Sequence, residues 1–264
     1  MGILNVTPDS FSDGGRYADP VVAIAAGHAM RDAGADIIDV GGESTRPDAL
    51  PVPPAQEAAR VEPVIAALAA QGVVVSADTR NAETMAAALN AGARIINDVS
   101  GLRHDPAALP LLAARGCPVV IMHMRGSPMT MNCQAVYNDV VADVLVELGH
   151  TRDAALRAGI EAGAIALDPG LGFAKRGAQN VALLRALPRF AALGHALLIG
   201  LSRKKFIGEA GGEPASARRL PGSLAAALFA VGQGANILRV HDVAETVQAL
   251  RVWQSLTVAD SKMS

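Results

Sequence analysis

The sequence predicts a (β/α)8 barrel, a parallel eight-stranded sheet closed on itself with helices outside, and three observations lead there. Short apolar runs begin near residues 2, 35, 73, 94, 118, 164, 196 and 236, and a stretch of helical character separates most neighbours. Such alternation implies parallel pairing through right-handed crossovers, and about eight units in ~250 residues is the number that closes. Nearly every run also ends in a residue able to hold a ligand. An open doubly wound sheet, the runner-up, would gather such residues at a single switch point.

Gly2 to Val6 reads as the first strand, and Thr7-Pro8-Asp9-Ser10-Phe11-Ser12-Asp13-Gly14-Gly15 is too rich in turn formers to prolong it. Asp19-Pro20 supplies an N-cap and a first-turn proline for an Ala-rich helix that ends near Gly34. Ala35 to Val40 is the second strand. Its exit, Gly41-Gly42-Glu43-Ser44-Thr45-Arg46-Pro47, has two glycines that let the backbone approach a ligand. A helix is expected from Pro54 to Ala70, and then Val73 to Asp78 as a strand that delivers a carboxylate at its end. Asn81 to Asn90 is helical, and Arg94 to Asp98 and Pro118 to His123 are strands. Val136 to Ala162 has helical period, with Val140, Val144 and Leu148 on one face. Ile165-Ala166-Leu167-Asp168, cut off by Pro169-Gly170, has the continuous apolar character of a strand covered on both faces. A helix around Val181 to Phe190 and the strand Ala196 to Gly200 follow, the latter with the exit Ser202-Arg203-Lys204-Lys205. A helix from Leu220 to Gln233 and the strand Asn236 to Val240 complete the series before an amphipathic helix through Trp253.

An apolar fraction of 51%, evenly spread and with no linker-like stretch, makes residues 1–264 one compact domain. The near balance of 23 basic and 25 acidic residues argues against nucleic acid or a membrane surface as partner, and for small-molecule chemistry. Cys117 and Cys133 lack CxxC spacing, so neither a disulfide framework nor a thiolate zinc site is implied, and Cys117 is expected as a packed core thiol. No apolar run approaches the ~20 residues of a membrane span and no export signal follows Met1, so the expected compartment is the cytoplasm.

On one rim of a barrel the strand ends would gather Asn5, Thr45, Asp78, Asn97, His123, Asp168, Lys204, Arg239 and His241. The carboxylates and the amide match a heterocycle that offers amino and ring N–H donors, whereas Lys, Arg and His match a phosphate or another carboxylate. A lone ionised Asp168 costs several kcal/mol to bury, so donors must face it. Taken singly, Asp78, Asn97 and Asp98 read as turn or helix caps, and repetition at successive strand ends is what favours chemistry. Arg203 and Lys204 stand at a helix start, where the dipole disfavours cations, which points to a bound anion. His241 reads equally as a satisfied loop histidine or, two residues from Arg239 on one strand face, as a partner of the same anion. His28, His104, His150 and His195 have no partners in sequence and are expected at the surface. Met122, Met124, Met129 and Met131 could line an apolar ligand surface, although filling gaps in a core is the commoner use of methionine. There is no phosphate loop, no HExxH and no GxGxxG opening a helix.

Together, MGILNVTPDSFSDGG, GGESTRP, DTR, INDVSG, MHMRGSP, LDPGLGF, LSRKKFIG and RVHDV make the chain resemble the dihydropteroate synthase family over nearly its whole length. The resemblance implies a transferase of folate biosynthesis that condenses 6-hydroxymethyl-7,8-dihydropterin diphosphate with 4-aminobenzoate, giving dihydropteroate and pyrophosphate. It implies that Asp78, Asn97, Met122, Asp168 and Lys204 hold the pterin. Asn5, Thr45, Arg239 and His241 would hold the diphosphate, with Asn5 as a ligand of Mg²⁺. Phe11, Thr45, Arg46, Pro47, Phe173 and Ser202 would form the aminobenzoate pocket, and Asp13 with the first two loops would fold over the substrates. Asp78, Lys204, Arg239 and His241 are the expected catalytic residues, in a dissociative displacement whose pterin methylene cation Asp78 stabilises. Sulfonamides would compete with aminobenzoate, and the protein would be a homodimer through its later helices. The chain departs from the family's usual residues at Arg125, Asp48, Leu171 and Ala174.

Three other readings share parts of this pattern. A pterin-binding methyltransferase of a corrinoid system would need the Asp78, Asn97 and Asp168 side but no diphosphate end. An aldolase-like barrel would use Lys204 as a Schiff-base lysine. A non-catalytic pterin-binding module would release no pyrophosphate.

Overall fold

The structure, a computed structural model, describes residues 1–7, 19–46 and 49–257. Phe11, Asp13, Pro47 and Asp48 lie outside the described residues. In chain order the first half comprises β1 (Gly2–Asn5), α1 (Pro20–Asp32), β2 (Ile38–Gly41), α2 (Pro54–Ala70), β3 (Val75–Asp78), α3 (Ala82–Asn90), β4 (Ile95–Asp98), α4 (Ala108–Arg115) and β5 (Val119–Met122). The second half comprises α5 (Val140–Arg157), β6 (Ile165–Asp168), α6 (Gly177–Arg185), α7 (Leu187–Ala191), β7 (Ala196–Gly200), α8 (Lys205–Gly211), α9 (Leu220–Gly232), β8 (Ile237–Arg239) and α10 (Val243–Thr257).

The eight strands pair in sequence order, all parallel. A bridge from Gly2 to Val240 returns β8 to β1, with the Ile3 amide donating to Val240 O at 2.9 Å and the Val240 amide to Met1 O at 3.0 Å. The sheet is therefore the expected (β/α)8 barrel. Leu4, Val40, Ala77, Ile96, Ile121, Leu167 and Ile199 point outward and pack with Leu68, Met85, Leu112, Leu148 and Phe190 of the helical layer. Each large member of that layer contributes about 1.5–3 kcal/mol by leaving water. The alternate residues of each strand face the bore.

Most strands begin one to three residues after their apolar runs. The reason is that the helices consume the first apolar residues as caps. After the left-handed Gly34, Gly72 and Gly92, the amides of Ala35, Val73 and Ala93 donate back to Met30, Leu68 and Ala88. The helix expected over 136–162 is shorter, because Asp139 takes the N-cap and accepts from Val141 N at 2.9 Å. The helix expected over 181–190 is two, since Pro188 has no amide to carry the first one onward. The helices α4 and α8 were not expected as elements of their own. Among the described residues no helix is long and apolar enough to cross a membrane.

Candidate active site

Parallel closure puts every strand's C-terminal end at one mouth, and register places the polar ends beside one another. Asn5 aligns with Gly41, Gly41 with Asp78, and Asp78 with Asn97; farther round, Met122 aligns with Asp168 and Gly200 with Arg239. Gly41 leaves a gap that its neighbours border, since a Cβ there would lie 3.5 Å from Asp78 Oδ2 and 3.7 Å from Asn5 Oδ1. Gly200 does the same beneath Lys204, whose Nζ would be 3.7 Å from an added Cβ.

One side of the mouth is acidic. Arg239 donates through Nη2 to Asp78 Oδ2 and through Nε to Asp39 Oδ2, both at 2.6 Å, and Asn97 Nδ2 donates to the same Asp39 oxygen at 3.0 Å. Asp39 is fully buried and Asp78 nearly so. The second oxygens, Asp39 Oδ1 and Asp78 Oδ1, are buried without a protein donor. Buried acceptors in that condition call for a donor from elsewhere. Burial raises Asp78 to about 7, with Arg239 opposing the shift and Asp39 adding to it. Sequence reasoning missed Asp39 because it considered only strand exits. The available signal was one carboxylate inside Ile37-Ile38-Asp39-Val40, a layer deeper in the bore.

The opposite side sets Lys204 against Asp168. Asp168 Oδ1 accepts from Gly170 N at 2.7 Å, and burial pushes its pKa upward against the pull of Lys204. Lys204 donates to Leu171 O and lies 4.8 Å over the Phe173 ring, while burial lowers its pKa to about 8 despite Asp168. Met122 packs with Val99, Met124, Met131 and Ala174, and Phe173 leans on that group. Met124 and Met131 are thus core fillers, whereas Met129 is exposed.

His241 Nδ1 lies 3.1 Å from Ser202 Oγ, and burial followed by the nearby Arg239 holds the ring down to about 3, so it is neutral at pH 7. Thr45 and Arg46 end the described part of the second loop, whose base is tightly fixed. Arg60 Nη1 donates to Gly42 O at 2.9 Å, and the buried Arg80 and Glu43 form a two-pronged ion pair at 2.8 and 3.0 Å.

Several expectations need correction. Arg203 does not wait for an anion, because its guanidinium is paired with Asp242, Nε to Oδ2 at 2.9 Å. His123 is not offered to the mouth: its Nε2 meets Glu147 Oε2 at 3.0 Å and its Nδ1 meets Lys175 Nζ at 2.9 Å. Burial keeps its pKa near 4. His28 is not a surface residue in the sense expected, since both ring nitrogens are buried without partners. His195 is half-buried and meets Ala162 O at 3.1 Å, while His104 and His150 are exposed as expected. The cap reading of Asp98 holds, with Ser100 N at 2.6 Å and Leu102 N at 3.0 Å donating to it. Cys117 is buried and Cys133 exposed. Arg125 is absorbed by Glu147 on α5 and by the Tyr137 ring 4.0 Å from its guanidinium carbon.

A barrel mouth that sets carboxylate oxygens without donors across from Lys204 agrees with the comparisons to known proteins. The family profile described as pterin binding enzyme matches residues 1–241. The chain belongs to that family of pterin-binding enzymes. Its similar relatives are dihydropteroate synthases: that of Mycobacterium leprae is 49% identical over 259 residues, covering 96% of this chain and 91% of the relative. That of Escherichia coli is 47% identical over 253 residues, covering 96% and 89%. Among solved structures, Xanthomonas albilineans dihydropteroate synthase with 4-aminobenzoic acid superposes with a TM-score of 0.91 at 49% identity, over 98% of this chain and 93% of that one. The Yersinia pestis enzyme in a sulfonamide drug complex gives 0.94 at 43% identity, over 98% and 94%. A further Xanthomonas albilineans structure, in complex with 7,8-dihydropteroate, gives 0.88 at 47% identity, over 98% and 93%.

Proposed function

We infer that this chain is a dihydropteroate synthase, a transferase that joins 6-hydroxymethyl-7,8-dihydropterin diphosphate to 4-aminobenzoate and releases pyrophosphate. The observation that carries the reading is the pair of donor-starved carboxylate oxygens on Asp39 and Asp78, set in the same mouth as Lys204, Arg239 and His241. A pterin edge brings N–H groups, and carboxylates accept them in parallel pairs. Asp78, Asn97, Met122 and Asp168 hold the ring system in this reading, and Lys204 donates to its O4 and N5 edge. Arg239 has Nε and Nη2 committed to the carboxylates, which leaves Nη1 for the diphosphate, and neutral His241 offers it one N–H. Thr45, Arg46, Phe173 and Ser202 receive the aminobenzoate, with Phe11 and Pro47 assigned by resemblance alone.

The C–O bond breaks early, and Asp78 holds the positive charge that develops on the pterin methylene. The arylamine is neutral near pH 7 and attacks without a strong general base. A divalent cation belongs to this reading as well. Among the described residues no group of three or more His, Cys, Asp or Glu could cage an ion, and Asn5 offers one hard oxygen beside Asp78. That donor set fits Mg²⁺, which keeps its waters and takes substrate oxygens. Once bound, the ion would neutralise charge on the diphosphate. The reading also includes a cytoplasmic homodimer. Exposed Phe229 on α9 and Val252 and Leu256 on α10 supply apolar surface for it, and sedimentation as a monomer would remove that part.

The direct test is formation of dihydropteroate and pyrophosphate from the two substrates with Mg²⁺; a protein that makes neither is not this enzyme. The pH profile of kcat/KM for the pterin diphosphate should be a narrow bell. Asp78 must be ionised, so activity falls below about pH 7, and Lys204 must be charged, so activity falls above about pH 8. Lys204→Ala should abolish the alkaline limb and lower kcat/KM by about tenfold to a hundredfold, the worth of a charged hydrogen bond. Retention of that limb in the variant would show that another group sets it.

A further inference from the structure

The exits of β5 and β6 cross at a single point. Gly170 has φ +69°, and a Cβ on it would stand 2.0 Å from His123 O, so only glycine permits the crossing. Ala174, itself left-handed at φ +50°, turns the chain back so that the next side chain, Lys175, enters this junction. Lys175 is 7% exposed. Its Nζ donates to Phe173 O at 2.8 Å, Gly170 O at 3.0 Å and His123 O at 3.2 Å, and meets His123 Nδ1 at 2.9 Å. Among the described residues no carboxylate touches it; carbonyls and one imidazole take the place of water. An amine enclosed this way is costly, and its bonds bracket the segment that carries Leu171 and Phe173. Those two residues are the ones on which Lys204 rests.

We propose that Lys175 is a positioning residue for the second substrate: it pins the Phe173 backbone to the β5 exit and so fixes the ring that 4-aminobenzoate meets. This rests on the synthase reading, which puts that substrate against Phe173. The chain of action is short. Lys175 sets the Phe173 carbonyl, the carbonyl sets the ring, and the ring with Lys204 above it forms one wall of the pocket. Misplacement of such a wall by about an ångström is enough to cost on the order of a hundredfold.

The test is a double-mutant cycle read as KM, with folding temperature measured alongside. Lys175→Met should raise the KM for 4-aminobenzoate by about tenfold or more, with kcat within about threefold of wild type. In a Phe173→Ala background the same substitution should shift that KM less than twofold, because the ring through which it acts is gone. Equal shifts in both backgrounds, or a lowered folding temperature with KM unmoved, would overturn the proposal and leave Lys175 as a structural residue. Should Lys175→Met not fold, Lys175→Gln, which keeps an N–H for the Phe173 carbonyl, is read in the same cycle with the same two outcomes. A wild type that makes no dihydropteroate defeats the synthase reading, whereas an active wild type with additive shifts defeats only the role of Lys175.

Discussion

Asp78→Asn is expected to lower kcat by about a hundredfold to a thousandfold while KM for the pterin diphosphate moves far less. The substitution preserves shape and keeps an acceptor for Arg239, but it removes the negative charge that, in the proposed mechanism, faces the methylene as the C–O bond opens. In the ground state the pterin loses one acceptor, a loss of about tenfold, whereas the interaction with the developing charge is lost only in the transition state. Asp78 suits the task because burial holds it at about 7, ionised above neutrality and shielded from water that would weaken its field. Single-turnover rates within a few fold of wild type would end the dissociative account.

Arg239→Met is expected to destabilise the fold. Arg239 is the only cation in hydrogen-bond contact with Asp39 and Asp78 among the described residues, and Asp39 has no access to solvent. Removing it leaves two carboxylates uncompensated, which typically costs about 3–5 kcal/mol of stability. The pH dependence distinguishes this from a loss of packing. Without the guanidinium the folded-state pKa of Asp78 rises further above its unfolded value. Stability is then retained at low pH and lost as pH climbs through the raised value. Denaturation at pH 5 should therefore show a smaller deficit than at pH 8. A deficit independent of pH would mean that Arg239 matters only through its bulk.

Most of the barrel was legible because parallel strands buried on both faces leave a plain record: Val119 to Met122 is apolar throughout and Ile165 to Asp168 is apolar until its last residue. What could not be read was where helices stop. The apolar residues after Gly34, Gly72 and Gly92 look like strand, yet their amides return to the preceding helix. In the site, Asp168 and Arg239 could be found because they end strands, and Lys204 because it stands in the loop just after β7, at the start of a helix. Asp39 escaped because it sits inside one, and Lys175 because its partners are backbone carbonyls brought near only by the crossing at Gly170. Arg203 misled for a related reason: its partner Asp242 is 39 residues away and no local pattern joins them.

Arg239 meets Asp39 and Asp78 across 200 and 161 residues of chain. The mouth therefore has no early or partial form. Collapse of the first strands and helices leaves two acids facing nothing, and competence arrives only when the eighth strand docks against the first. For a polypeptide emerging from a ribosome, the mouth stays unassembled until the eighth strand has been made.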